Sequence, residues 1–235
     1  METNRIANRN KFILGPSGSG KSFFTNSYVK QIINLGADVV IVDTGNSYLG
    51  LCKYFKGKYI INKEERPITM NPFNINADEN TEDKRQMIKT LVVLVWKGVD
   101  GKLSMVEDSV LNNCVTAYFD DYFGEQKAVK KLKFDTFYDF SVQQIQSIKK
   151  LENIKFSLDE YRYVLKKFYR GGEYHAILNE EMDNTLFNEN FIVFEIDNIK
   201  EHKLLFPITT LIIMDVFMQK MKFKKNKKVL IIEEA

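Results

Sequence analysis

A glycine-rich run near the start of the chain has the composition of a loop that binds phosphate groups. Residues 15–22 read Gly-Pro-Ser-Gly-Ser-Gly-Lys-Ser and match the P-loop pattern in full. Phosphates carry several negative charges, and backbone amides that point into a concave loop neutralise them without side-chain bulk. Gly18 and Gly20 let the backbone curl closely around a β-phosphate. The run therefore predicts a nucleotide site.

The last two side chains of this loop have predicted chemical roles. Lys21 is predicted to reach the β- and γ-phosphate oxygens and to act in catalysis, and the Ser22 hydroxyl is predicted to ligate a magnesium ion. The helix that follows directs its positive N-terminal end at the same charge. ATP and Mg²⁺ are the predicted cofactors. The predicted nucleotide contacts are Gly15, Pro16, Ser17, Gly18, Ser19, Gly20, Lys21, Ser22 and Phe23.

A second pattern, an apolar strand that ends in two acids, lies at residues 229–234. In P-loop enzymes the first acid holds magnesium, usually through water, and the second polarises the attacking water. Glu233 is therefore predicted as a metal ligand and Glu234 as the catalytic base. Glu233 stands where aspartate is usual, and its longer side chain changes the expected metal geometry. Asp43 and Asp197 also follow strands and are either nucleotide-facing groups or ordinary polar strand ends.

The elements that must position these residues are predicted from apolar patterning. The first three form a βαβ unit, and continuous β-branched runs of this kind suit a parallel sheet covered on both faces. The predicted class is α/β, a P-loop NTPase core with a mostly parallel sheet. The predicted elements are a strand at Lys11–Leu14, a helix at Lys21–Leu35 and strands at 38–42, 191–194 and 229–232, with a helix at 203–222 before the last strand.

Between the two parts of this pattern, residues 76–189 show helical periodicity and no strand pattern. Helices are predicted at 82–97, from Ser104 to Gly124, at 136–150 and from Ser157 onward. Ser104 with Glu107, and Ser157 with Glu160, have capping-box spacing. The chain is thus divided into a first core part (1–75), an all-helical insertion (76–189) and a second core part (190–235). The second core part is expected to be truncated at the acidic strand end.

Bulk properties place few limits on function. The chain has 235 residues, 44% of them hydrophobic, and a net charge of +3, which neither requires nor excludes a nucleic-acid partner. The two cysteines, Cys52 and Cys114, have no metal-ligand spacing, and no apolar run reaches membrane-spanning length. A cytoplasmic location is predicted. The lysine cluster at 222–228 is interpreted as a solvated loop, with DNA or an anionic membrane surface as alternatives.

Several motifs in order resemble those of the TraG-type conjugation ATPases of mobile genetic elements. They include the P-loop run, Val42-Asp-Thr-Gly-Asn-Ser-Tyr48, Met70-Asn-Pro-Phe73, Phe194-Glu-Ile-Asp197 and Ile231-Ile-Glu-Glu-Ala235. These proteins are similar to the large ATPase of type IV secretion systems. The resemblance implies a RecA-like fold and an ATP-hydrolysing motor domain, hexameric in the full-length protein, that powers secretion and transfer. It also implies secretion-channel partners and a peripheral position at the bacterial inner membrane.

The family has a domain before this region and, after it, further core strands, a sensor residue and residues that reach a neighbouring subunit. On that basis we expect the 235-residue chain to bind ATP but to hydrolyse it slowly. Two alternatives remain open. A DNA-pumping ATPase of the HerA and FtsK type predicts DNA-stimulated hydrolysis, and a non-motor docking module stabilised by nucleotide predicts no turnover. DNA as a partner is left open.

Overall fold

A four-stranded parallel sheet forms the centre of the fold in the computed structural model, which describes residues 10–16, 18–125, 128–181, 184–223 and 226–233. The strands are β1 (Asp38–Asp43), β2 (Lys58–Ile61), β3 (Phe191–Glu195) and β4 (Lys228–Ile232), in the order β2-β3-β1-β4. Val40 lies opposite Ile192 on one side and Leu230 on the other. Because every pairing is parallel, the carboxyl ends of the strands meet at one edge of the sheet.

Helices cover both faces of this sheet. Alternate residues of β1 point to opposite sides: Val39 and Ile41 pack with Val29, whereas Val40 and Val42 belong to the larger apolar core on the other face. This explains the unbroken burial of β1. The α-helices of the described residues are α1 (Lys21–Asn34), α2 (Leu49–Tyr54), α3 (Glu82–Lys97), α4 (Met105–Phe123), α5 (Phe134–Glu152), α6 (Leu158–Leu165), α7 (His175–Asn179) and α8 (Leu205–Phe223).

The structure confirms most of the predicted elements and the α/β class. Helix α3 spans the predicted residues, and α4 begins at a complete capping box. In that box the Glu107 amide donates to the Ser104 hydroxyl (3.2 Å), and the Ser104 amide donates to Glu107 Oε2 (2.8 Å). Cys52 and Cys114 are both free and buried.

The predicted strand at Lys11–Leu14 is wrong, because these residues have no strand structure. Phe12 is 80% exposed and Leu14 is 79% exposed. An apolar run becomes a strand only where a neighbouring backbone pairs with its amides and a core covers its side chains. Within the described residues this segment has neither. The sequence analysis missed the short strand β2. Its residues are half-exposed and show no clear alternation of apolar and polar side chains, but a neighbouring strand, β3, pairs with them.

The second predicted capping box, at Ser157, does not form. Helix α6 still begins at Leu158, but Ser157 has a ψ of 77°, whereas the capping residue Ser104 has a ψ of 161°. The extended backbone at Ser104 holds its hydroxyl over the free amides of the first turn, and the backbone at Ser157 does not. The side chain of Glu160 lies instead near the ammonium of Lys97, at 3.5 Å.

Within the described residues, 76–189 contain helices and no strand. The apolar core of these helices continues into one face of the sheet through α8. A buried ion pair reinforces this contact, with Lys84 Nζ of α3 at 2.6 Å from Asp215 Oδ2 of α8. The boundaries at 75/76 and 189/190 stay predictions. A search of the described residues for a helix long and apolar enough to cross a bilayer finds none.

Candidate nucleotide-binding site

The loop before α1 has the backbone geometry that a phosphate cradle needs. Gly18 and Gly20 have φ values of 78° and 87°, in the left-handed region that favours glycine. A Cβ at Gly15 would stand 2.5 Å from the Ser19 hydroxyl, so a side chain here would require Ser19 to move. The Ser19 amide closes a turn onto the Pro16 carbonyl (3.2 Å). Ser17, also predicted as a contact, lies outside the described residues.

The Lys21 ammonium folds back over this loop. It donates to the carbonyl oxygens of Gly15 (2.6 Å) and Pro16 (3.1 Å). These oxygens hold the positive charge at the centre of the loop, where oxygens of a bound phosphate can replace them. Helix α1 begins at Gly20 without a side-chain cap, which leaves first-turn amides available to an anion.

The two predicted contacts that follow Lys21 differ in exposure. Ser22 is half-buried, whereas the Phe23 ring is exposed. The ring of Phe23 is therefore accessible beside the loop but is held there by no core contact. The hydroxyl of Ser22 is the kind of hard oxygen donor that Mg²⁺ prefers.

Asn26, which the sequence analysis did not single out, joins α1 to the turn after β1. Its side-chain amide donates to the carbonyls of Ser22 (2.8 Å) and Ser47 (3.1 Å). The asparagine lies one helical turn after Ser22, so that it faces the same side of α1. The phosphate loop is thereby fixed to the carboxyl edge of the sheet.

Three acids end adjacent strands at that edge: Asp43 on β1, Glu195 on β3 and Glu233 directly after β4. The Glu233 amide donates to the Val42 carbonyl (3.0 Å), which extends the β1–β4 pairing to the acid itself. Asp197, one of the two strand-end acids singled out in the sequence, is half-exposed and pairs with Lys200 at 2.9 Å. The residue of this motif that reaches the edge is Glu195.

Glu195 is buried and accepts three hydrogen bonds. The donors are the Asn46 amide (2.8 Å) and the Tyr59 hydroxyl (3.1 Å) on Oε2, and the Asp197 amide (2.9 Å) on Oε1. The buried Asp43 lies beside this carboxylate, and burial together with the Glu195 charge raises the pKa of Asp43 to about 6. Asp43 therefore carries a proton below that pH.

This pair predicts a stability that falls as the pH rises. The pKa of Asp43 is about 6 in the fold against an ordinary value of 3.8, so the folded chain binds more protons between these values. Asp43→Asn keeps an acceptor for the Tyr48 amide and removes the titration. We expect this variant to be more stable than wild type at pH 7.5 by about 1 to 3 kcal/mol and to lose the advantage near pH 4.

Thermal unfolding across pH 4 to 8, monitored by circular dichroism, measures this difference. Asp197→Asn is the matched control, because Asp197 ends the motif that contains Glu195 but is half-exposed and paired with Lys200. Its stability should follow that of the wild type at each pH. A lower stability of Asp43→Asn at pH 7.5 would contradict the assignment of the proton.

The fourth group at this edge is Tyr48, whose ring is fully buried. Its hydroxyl donates to Glu233 Oε1, and its amide donates to Asp43 Oδ2 (3.2 Å). Burial and the Glu233 charge raise the pKa of Tyr48, so the hydroxyl keeps its proton and remains a donor. Glu234, the predicted base, lies outside the described residues.

The oxygen donors suit the predicted metal. A serine hydroxyl and a carboxylate are hard ligands, and Mg²⁺ in phosphate sites takes one or two such groups besides waters and phosphate oxygens. Ser22 is joined through Asn26 to the Ser47 carbonyl, and the next residue, Tyr48, contacts Glu233. The two predicted ligands, Ser22 and Glu233, are thus both connected to the turn at residues 47–48.

A parallel sheet with a phosphate loop at its carboxyl edge defines a RecA-like P-loop protein, and comparisons with known proteins specify it further. The family model of the TraG P-loop domain matches residues 1–235. The chain therefore belongs to the TraG P-loop domain family. Protein TraC of Escherichia coli (strain K12) is 23% identical over 198 residues, which cover 83% of this chain and 21% of TraC.

Solved structures share the fold. VirB4 of Thermoanaerobacter pseudethanolicus aligns with a TM-score of 0.64 at 15% identity, over 94% of this chain and 59% of that chain. The bacterial conjugative coupling protein TrwBdeltaN70 aligns with a TM-score of 0.50 at 12% identity, over 92% of this chain and 52% of that chain. The chain thus spans only part of these relatives, about a fifth of TraC.

Proposed function

We propose that this chain is the ATP-binding and ATP-hydrolysing motor domain of a protein that powers conjugative (type IV) secretion and transfer. The observation that carries this proposal is the Lys21 ammonium, held by the carbonyls of Gly15 and Pro16 at an uncapped helix start. Family membership supports the conjugative role, as do the relatives TraC and VirB4.

In this proposal the chain binds ATP mainly through its backbone. The amides of residues 15–23 surround the phosphates, and Lys21 exchanges its carbonyl partners for β- and γ-phosphate oxygens. Ser22 and Glu233 would hold Mg²⁺, which neutralises negative charge on the phosphates when bound. Glu234 orients the attacking water and accepts its proton.

The larger assembly is also part of the proposal. A homo-hexamer of the full-length protein, contacts with secretion-channel components and a peripheral position at the inner membrane follow from the resemblance to conjugation ATPases. Hydrolysis by the full-length protein, measured with and without DNA and anionic vesicles, tests these features. DNA-stimulated turnover favours a DNA-pumping motor, and ATP binding without turnover under any condition favours a docking module.

Lys21→Ala tests the site itself. We expect the variant to bind ATP about 10- to 100-fold more weakly than wild type, because it loses charge-assisted hydrogen bonds to the phosphates. Isothermal titration with ATP and Mg²⁺ measures the change. Lys30→Ala is the control, since Lys30 lies on the same helix with its ammonium near the Tyr54 ring rather than the loop. Unchanged ATP affinity of Lys21→Ala would place the site elsewhere.

A further inference from the structure

The hydroxyl of Tyr48 forms a hydrogen bond with one of the two carboxylate oxygens of Glu233, the predicted metal ligand. It donates to Glu233 Oε1, and no other hydrogen bond to Glu233 is seen from the side chains of the described residues. The tyrosine ring packs in the apolar cluster beneath the sheet edge, with Val39, Ile41 and Cys52. Because the packed cluster holds the buried ring in place, the position of the Tyr48 hydroxyl is fixed as well.

Tyr48 is also tied to the phosphate-loop helix. The Thr25 hydroxyl lies beside that of Tyr48 and donates to the Lys21 carbonyl (2.9 Å). The preceding residue, Ser47, accepts from Asn26 of the same helix (3.1 Å). The position of the Tyr48 hydroxyl is therefore set relative to the loop as well as to the sheet.

We propose that Tyr48 is a positioning residue for the predicted magnesium site: it holds Glu233 Oε1 and leaves Oε2 as the oxygen that would ligate Mg²⁺. This inference rests on the proposed function, since it assigns a role in binding Mg²⁺ with ATP. Glu233 makes such a residue necessary, because glutamate has one more rotatable bond than the aspartate usual at this position. The buried hydroxyl removes the freedom that the longer side chain adds.

Partners of this kind have large effects on metal sites. Removing a group that orients a metal ligand typically costs about 10- to 100-fold in metal affinity or activity. Tyr48→Phe removes only the hydroxyl and keeps the ring in its cluster. We expect this variant to need about 10-fold more Mg²⁺ for half-maximal ATP binding. Its ATP affinity in EDTA should equal that of the wild type, because the phosphate loop is intact.

A fluorescent ATP analogue titrated at increasing Mg²⁺ concentrations measures both quantities. Tyr59→Phe is the matched control, since it removes a tyrosine hydroxyl that donates at the same sheet edge to Glu195 instead of Glu233. It should keep the Mg²⁺ dependence of the wild type. Glu233→Gln should raise the Mg²⁺ concentration needed for half-maximal ATP binding, and adding Tyr48→Phe to it should change nothing further, because the tyrosine acts through this carboxylate.

The outcomes separate this inference from the proposed function. A wild-type chain that binds no ATP with or without Mg²⁺ refutes both. A wild-type chain whose ATP affinity depends on Mg²⁺, beside a Tyr48→Phe variant with the same dependence, refutes only the role of Tyr48. An equal loss of affinity in EDTA and in Mg²⁺, or additive effects of Tyr48→Phe and Glu233→Gln, would show a structural role instead.

Discussion

Replacing Glu234 with glutamine in the full-length protein is expected to lower ATP hydrolysis by about 10²- to 10⁴-fold, the usual contribution of a positioned general base. Glutamine keeps the size of the side chain but cannot accept the proton of the attacking water. ATP binding should be retained, because the predicted phosphate contacts all lie within residues 15–23. Steady-state phosphate release together with ATP titration separates the two effects.

Two further variants, Glu233→Gln and Glu152→Gln, serve as comparisons for Glu234→Gln. Glu233→Gln should raise the Mg²⁺ requirement, whereas Glu234→Gln should lower turnover at saturating Mg²⁺. Glu152→Gln, a change of the same chemistry at the exposed end of α5, should leave both unchanged. If Glu234→Gln hydrolyses ATP at the wild-type rate, Glu234 is not the base.

Breaking the buried ion pair between Lys84 and Asp215 is expected to destabilise the fold by about 3 to 5 kcal/mol. The side chains are 8% and 6% exposed, and the pair joins α3 to α8 at 2.6 Å. Lys84→Met keeps the aliphatic volume but leaves the Asp215 carboxylate buried, with the Gln219 amide at 3.0 Å as its one further side-chain donor among the described residues. The cost comes from the uncompensated charge rather than from lost packing.

The next residue provides the control. Arg85 pairs with Asp120 at 2.7 Å, but Asp120 is 60% exposed, so water takes over when the pair is broken. Arg85→Met should therefore cost no more than about 1 kcal/mol. Urea unfolding followed by circular dichroism measures both variants. The double variant Lys84→Met, Asp215→Leu should regain much of the lost stability, and a double variant as unstable as Lys84→Met alone would contradict the electrostatic explanation.

The phosphate loop could be predicted from sequence because its requirements are local. The positive φ values at Gly18 and Gly20 are properties of single positions within one turn. The capping box at Ser104 was equally predictable, since both of its hydrogen bonds span three residues. Interactions between residues this close in the chain can be predicted from the sequence alone.

The predictions that failed matched a sequence pattern whose further requirements were not met. Lys11–Leu14 has the composition of a strand, but within the described residues no neighbouring strand pairs with it. Ser157 has capping-box spacing, but its ψ of 77° differs from the extended backbone of Ser104, and its side chain makes no capping hydrogen bond. Spacing and composition set the potential for each feature, whereas surrounding contacts decide whether it forms.

The sequence by itself determined the phosphate loop, the acidic strand end and the alternation of strands and helices. Only the tertiary structure brought Asp43, Glu195, Tyr48 and Glu233 to one edge of the sheet, because parallel pairing places the ends of strands distant in the chain side by side. Glu195 and Tyr48 stand 147 residues apart in the sequence (195 − 48). Their shared environment depends on strand order, which no local pattern encodes.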